Sequence, residues 1–217
     1  MMILQEKIKH ILQTDLPGAG SHRKMLPPGR VLTAAPSHKN RVKKSSVLLL
    51  LFHEKNELMA CLIKRPKHMK HHAGQIALPG GRMEDGETAE ETALRETFEE
   101  IGVDRTKITI IGQLSKFYVE VSRFEIQPIV GWLDQRPTVK LCCDEVEKVL
   151  YFPVRKFGLP HDTIELHTIT GKLEVPCVKY DGEIIWGATA MILSEFYDVV
   201  KDSIETIPSP GHSRIQK

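Results

Sequence analysis

Residues 80–103 read GGRMEDGETAEETALRETFEEIGV, and the way charge is laid along this stretch governs how the rest of the chain is read. On a helix turning about 100° per residue, Leu94, Phe98 and Ile101 fall i, i+4, i+7 apart, which predicts an apolar stripe turned to a core. Glu96, Glu99 and Glu100 then lie together on the opposite face. An acidic outer face is ordinarily a solvated one. Here Glu96 and Glu100 are a like-charge i, i+4 pair, Glu99 adds a third negative charge, and all three occupy the last turn, where the helix dipole disfavours anions. Gly102 follows as the expected C-terminal cap. Local rules broken together at one place point to function, and a hard divalent cation such as Mg²⁺ or Mn²⁺ would turn the repulsion into ligation. Upstream, Asp85-Gly86 predicts a turn, Thr88 an N-cap and Glu91 the returning half of a capping box. Gly80-Gly81 put bare backbone where a metal or phosphate can approach closely.

Gly81, five residues, Glu87, seven residues and then RETFEEIGV over 95–103 resemble the Nudix box, with Thr97 where the family usually has an aliphatic residue. The resemblance implies an α+β fold of the Nudix type, an α/β/α sandwich around a mixed sheet that carries the box helix, an N-terminal helix and a C-terminal helix. It implies attack of water on one phosphorus of a nucleoside diphosphate linked to another moiety, with Mg²⁺ or Mn²⁺ as cofactor. The implied cation ligands are Glu96, Glu99 and Glu100, with the Gly80 carbonyl and Glu87 beside them. Arg95 is too basic to act as a base, so its role is to orient Glu87 or Glu99; a structural ion pair would have the same spacing. The base that activates water is left open between Glu96 and Glu145, the latter within Asp144-Glu145-Val146-Glu147. Catalytic roles therefore fall on Glu96, Glu99, Arg95 and Glu145.

Directly before the box, Lys64 to His72 packs four cations and three histidines into nine residues. Alone, such a loop is a solvated one. Joined to a carboxylate helix, it supplies the cations that a polyphosphate ester requires. LIKRP followed by HHAGQIALPGG also resembles the region upstream of the box in coenzyme A pyrophosphatases. Lys64, Arg65, His72, Gly74, Gln75 and Pro79-Gly80-Gly81 match, whereas Ile63, Lys70 and Leu78 stand where that subgroup has Thr, Arg and Phe. The implied substrate-binding residues are Lys64, Arg65, Lys70, His72, Gly74 and Gln75; a Lys at 70 lacks the two-pronged fork of Arg. The implied substrate is coenzyme A or an acyl derivative, cleaved to 3′,5′-ADP and the matching phosphopantetheine. ADP-ribose or another nucleotide is the alternative. A nucleotide-binding module without catalysis is the alternative class, and keeping all three crowded carboxylates argues against it.

The remainder fits one soluble domain with additions. At 217 residues, 41% hydrophobic and 27% charged, the chain is long enough to bury a core. A net charge of +2 gives no general case for nucleic acid, and the apolar run Val47–Phe52 is too short to span a membrane. With no secretory h-region at the start, the expected compartment is the cytoplasm. Cys61, Cys142, Cys143 and Cys177 lack metal-type spacing and read as reduced thiols. The expected division is an N-terminal helix and basic arm over 1–44, a catalytic domain over 45–205 and a loose tail over 206–217. Within it, Leu4, Ile8 and Ile11 predict the first helix, and Pro17–Lys44 a draped loop. Strands are predicted from Ser46 and over 58–63, 75–78, 108–114 and 124–133, where Phe124 and Ile126 alternate with Glu125 and Gln127 as buried and wet faces. A hairpin is predicted over 164–178 and a closing helix over 188–200, with Ala190, Leu193, Phe196 and Tyr197 inward. The expected partner is a small nucleotide, with no membrane contact and no nucleic acid; a homodimer is left open.

Overall fold

The run SSVLLLLF lies inside strand β1 (Lys43–Glu54), and its unbroken apolar character has a direct structural cause. Leu49 and Leu51 enter one hydrophobic core, while Leu48, Leu50 and Phe52 enter a second on the other face of the sheet. A strand covered on both sides has no wet face, so alternation disappears. β2 (Glu57–Lys64) returns antiparallel across Lys55-Asn56, both at positive φ, as a two-residue hairpin turn of the primed type requires. The computed structural model describes residues 2–36, 42–159, 161–168 and 171–204.

Short strands β3 (Ile76–Ala77) and β4 (Gly80–Arg82) lead into the box helix; β5 (Thr109–Gln113), β6 (Phe117–Val119), β7 (Phe124–Leu133) and β8 (Lys148–Pro153) follow it. Among the described residues these eight strands form one mixed sheet. Its main order is β3-β2-β1-β7-β5, with β4 on β1, β6 on β7 and β8 on β2. The pairing of β1 with β7 is parallel, from Lys43↔Phe124 to Phe52↔Leu133. A second sheet of three antiparallel strands, β9 (Asp162–Thr168), β10 (Gly171–Tyr180) and β11 (Glu183–Trp186), contains the predicted hairpin.

Helices cover both faces. α1 (Met2–Ile11) and α4 (Gly187–Ile204) enclose one core, joined by the short α2 (Ala19–His22), and the box helix α3 (Ala89–Ile101) closes the other. The result is the expected α+β sandwich, with several local differences. In the first helix Ile8 and the following Leu12 are buried and Ile11 is only half-buried. The 17–44 segment is not merely draped: His22 and Met25 are buried, and the His22 ring nitrogen lies 2.8 Å from the buried Glu195 carboxylate on α4. Along β7 the first four residues are all half-buried, because neighbouring strands flank both edges; the Gln127 amide donates to the Leu114 carbonyl at 2.8 Å instead of facing water. β4, β6, β8 and β11 were not anticipated, being short and without alternation. The predicted tail lies outside the described residues, as do Ile169 and Thr170 of the second hairpin.

Candidate active site

Thr88 starts the helix by both halves of its capping box: its hydroxyl accepts from the Glu91 N–H, and the Glu91 carboxylate accepts from the Thr88 N–H at 2.8 Å. Gly102 ends it at φ 68°, the left-handed conformation that a residue lacking Cβ adopts freely. Two of the carbonyls left open by the last turn are satisfied from a later loop, with Lys140 N–H donating to Ile101 and Cys142 N–H to Glu100. That loop carries Glu145, whose charge reaches both Glu96 and Glu100.

The helix is rotated relative to the expected stripe. Ala93, Thr97, Glu100 and Ile101 are buried, Leu94 is half-buried, and Phe98 is 55% exposed. Thr97 meets its hydroxyl need by donating to the Ala93 carbonyl at 2.7 Å. Glu100, placed on the outer face by the helical wheel, is only 2% exposed. It accepts the Gly80 N–H at 2.9 Å, and its other oxygen lies 3.6 Å from the Arg65 guanidinium. Burial first, with the Glu96 and Glu145 charges adding to it, pushes its carboxyl up to about 8 against the opposing Gly80 N–H and Arg65. Burial likewise raises Glu96, although Arg95 opposes the shift.

Arg95 organises the rest. Its Nε and Nη2 reach the two oxygens of Glu87 at 2.6 and 3.0 Å, Nη1 reaches Glu96 at 2.9 Å and Glu99 at 3.0 Å, and Nη2 also donates to the Arg82 carbonyl. Every N–H of the guanidinium thus has an acceptor. Glu87 is held down to about 2 by Arg95 first, then by the Glu84 N–H and the Thr92 hydroxyl. Gly81 completes the arrangement by what it lacks. A Cβ there would stand 2.5 Å from the Glu96 carboxyl carbon, so only glycine lets strand and carboxylate lie this close.

The cationic loop is closed by the Arg65 N–H donating to the Gln75 carbonyl and the Gly74 N–H to the Arg65 carbonyl, which extends the Lys64↔Ile76 pairing. His72 stands at φ 57° with its ring Nδ1 2.9 Å from the Gln75 side chain. Lys64 points elsewhere, pairing with Glu183 at 3.0 Å and Glu147 at 3.2 Å, an anchor between the two sheets.

A sequence model of the NUDIX domain matches residues 42–167, more than half of the chain. The chain belongs to the Nudix family. It is 42% identical over 121 residues to Nudix hydrolase 3 of Caenorhabditis elegans, covering 52% of this chain and 50% of that protein. It is 32% identical over 130 residues to the peroxisomal coenzyme A diphosphatase ndx-8 of the same organism, covering 58% and 55%. The chain spans about half the length of these curated relatives. Among solved structures, a MutT/nudix family protein from Enterococcus faecalis superposes with a TM-score of 0.50 at 21% identity, over 81% of this chain and 68% of that one. It supports the fold alone.

Within this Nudix fold the predicted residues separate into groups. Glu96, Glu99, Glu100, Arg95, Glu87, Gly80 and Arg65 are brought together around the box, and Glu145 faces them from the 140–146 loop. Lys70 and His72 line a neighbouring cleft, while Lys64 is engaged in the anchor. Among the described residues no three acidic, His or Cys side chains converge as a finished metal site. The donor set nevertheless fits a hard cation. Arg95 holds one oxygen of Glu96 and one of Glu99, and among the described residues the second oxygen of each accepts no hydrogen bond. Burial and mutual repulsion, which raise Glu96 and Glu100, are what a divalent cation would relieve. Glu87, with both oxygens on Arg95, is placed to position the arginine. Sequence reading did not find Thr92 and the Arg82 carbonyl, which complete the Arg95–Glu87 network; neither has a signal outside the folded chain.

Proposed function

We propose that this Nudix protein hydrolyses the diphosphate of a nucleoside diphosphate linked to a second moiety, with coenzyme A or its acyl esters as substrate. The observation that carries the reaction class is Glu100. It is a buried carboxylate seated between the Gly80 N–H and Arg65, with Glu96 and Glu145 crowding the same face. A structural role would not gather three acids at one helix end, since each raises the cost of the others. Support for coenzyme A comes from the Arg65–Gln75 loop and from the name of the 32% identical relative.

Glu96, Glu99 and Glu100 would hold Mg²⁺ or Mn²⁺, which when bound supplies Lewis-acid chemistry, acidifying water and drawing charge from phosphoryl oxygens. Arg95 keeps Glu96 and Glu99 aimed in one direction, and Glu87 keeps Arg95 in place. Arg65, partly exposed and 3.6 Å from the Glu100 carboxylate, supplies a guanidinium cation to a phosphate oxygen. The proton of the attacking water falls, in this reading, to Glu96 or to Glu145, which is exposed and close enough for its charge to act on Glu96.

The test is a hydrolysis panel of coenzyme A, acetyl-coenzyme A, ADP-ribose and diadenosine polyphosphates, with Mg²⁺ or Mn²⁺ and products identified by mass. Release of 3′,5′-ADP is expected; rapid cleavage of ADP-ribose with coenzyme A left intact would overturn the substrate. Glu100→Gln can still accept the Gly80 N–H, so it should fold and melt as the parent does while turnover falls by about a thousandfold, a loss of roughly 4 kcal/mol in barrier lowering. Undiminished turnover in that variant would remove Glu100 from the reaction.

A further inference from the structure

A cleft of about 1240 Å³ opens at the end of the sheet beside the box loop. Strand pairing builds its floor: Ser45 lies opposite Arg82, Lys43 opposite Phe124, and Phe124 opposite Val119. The Lys43 N–H donates to the Arg123 carbonyl at 2.9 Å, which ties the β6–β7 turn to the start of β1. The box loop from Arg82 to Glu87 forms one wall, and Lys70, His71 and His72 contribute to the lining. Arg82 and Glu87 also touch Arg95, so the cleft adjoins the carboxylate site through that residue.

Charge distinguishes this cleft from an ordinary groove. Lys43, Lys44, Lys70, Arg82 and Arg123 all line it, and among the described residues none of them makes an ion pair. Of the lining acids Glu84, Asp85 and Glu87, the last is already neutralised by Arg95. Five unpaired cations around one concavity repel each other and attract an anion. Val119, Val121 and Phe124 add an apolar surface, with the Lys43 ammonium 5.4 Å from the Phe124 ring centre. Cations beside a half-buried aromatic ring and apolar side chains suit a phosphorylated nucleoside.

We infer that this cleft takes the nucleoside end of the substrate and selects a nucleoside that bears a phosphomonoester of its own in addition to the scissile diphosphate. Arg123 and Lys43 hold the phosphomonoester, and the base lies on Phe124 and Val119. The placement of the scissile group rests on the diphosphatase reading above; the anion site does not.

The matched pair is coenzyme A and its 3′-dephospho form, which differ by one phosphomonoester. The parent is expected to favour coenzyme A in kcat/KM by about tenfold or more, and the ratio to fall towards one in Arg123→Gln and in Lys43→Gln. Arg123→Lys, which keeps the charge on the same turn, should retain part of the ratio, separating loss of charge from damage to the turn. Binding is read independently by titrating the full chain, without metal, with 3′,5′-ADP and with AMP. If coenzyme A is not cleaved but 3′,5′-ADP binds better than AMP in an Arg123-dependent way, the substrate assignment fails and the cleft stands. If coenzyme A is cleaved, yet both forms react alike and both nucleotides bind alike, the cleft assignment fails and the diphosphatase reading stands. Tighter Arg123-dependent binding of a short oligouridylate than of 3′,5′-ADP would assign the cleft to nucleic acid and overturn the inference.

Discussion

Arg95 is the side chain through which the candidate site is held in shape. Its fork meets Glu87 from two nitrogens and turns one oxygen each of Glu96 and Glu99 inward. A lysine carries the same charge as a point, without the planar fork that sets three carboxylates at fixed angles. Arg95→Lys should therefore fold but lose about 10–100-fold in metal affinity and in turnover, the usual scale for removing a group that orients ligands. Mn²⁺ titration followed by spectroscopy, alongside kcat, checks both numbers. Weakened turnover with unchanged metal affinity would place Arg95 on the substrate instead. The charged residues of this network were legible in the sequence because the box spacing fixes them, but the choice between Glu87 and Glu99 as the partner of Arg95 was not. The fold shows that the arginine takes both, with Glu96 as well.

At the scale of elements, the box helix and strand β4 approach more closely than a helical wheel anticipates. Hydrophobicity alone places Phe98 inside and Glu100 outside, and the opposite is found. The small side chains of Ala93 and Thr97 face the sheet, which brings the helix onto Gly80-Gly81 and turns Glu100 into the contact. No single-sequence pattern encodes that rotation, since it depends on which face the glycine strand meets. The two glycines should then fail differently. A Cβ at Gly80 would sit 2.4 Å from the Ser46 carbonyl and 2.5 Å from the Val47 Cα, both backbone, at φ 150°. Gly80→Ala is expected to cost stability, about 2 kcal/mol or more. At Gly81 the obstacle is the end of the Glu96 side chain, which can swing away. Gly81→Ala should keep most of its thermal stability and lose most of its turnover. Calorimetry and a turnover assay on the pair give the pattern, and equal losses of stability in both would contradict it.

The whole molecule is joined by contacts that lie far apart in sequence, and these were the least legible. The hydrophobic run of β1 and the capping signals of α3 announced themselves locally, whereas the burial of His22 depends on Glu195, 173 residues away. One Glu195 oxygen accepts from the N–H groups of Gly18 and Ser115 at 3.2 Å while the other meets His22, so the arm, the β5–β6 loop and α4 meet at one buried carboxylate. Asp198, one turn further on, binds Lys24 and the Ser21 hydroxyl nearer the surface. Removing the first should matter far more than removing the second. Glu195→Ala leaves buried donors without acceptors and is expected to cost about 3 kcal/mol or more. Asp198→Asn removes a partly exposed pair and is expected to cost less than about 1 kcal/mol at neutral pH. Burial would raise the Asp198 carboxyl, but its bonds to Lys24 and Ser21 bring it below the usual 3.8. A depressed carboxyl stabilises the fold above that value and stops doing so as pH falls through its lowered one. The gap between Asp198→Asn and the parent should accordingly close in strong acid. Urea melts of both variants at pH 7, and of Asp198→Asn in acid, measure this directly. If Glu195→Ala unfolds at the parent's urea concentration, the buried carboxylate does not hold the arm, and the joint between arm and α4 rests on apolar contacts and on the Asp198 and Ser194 bonds.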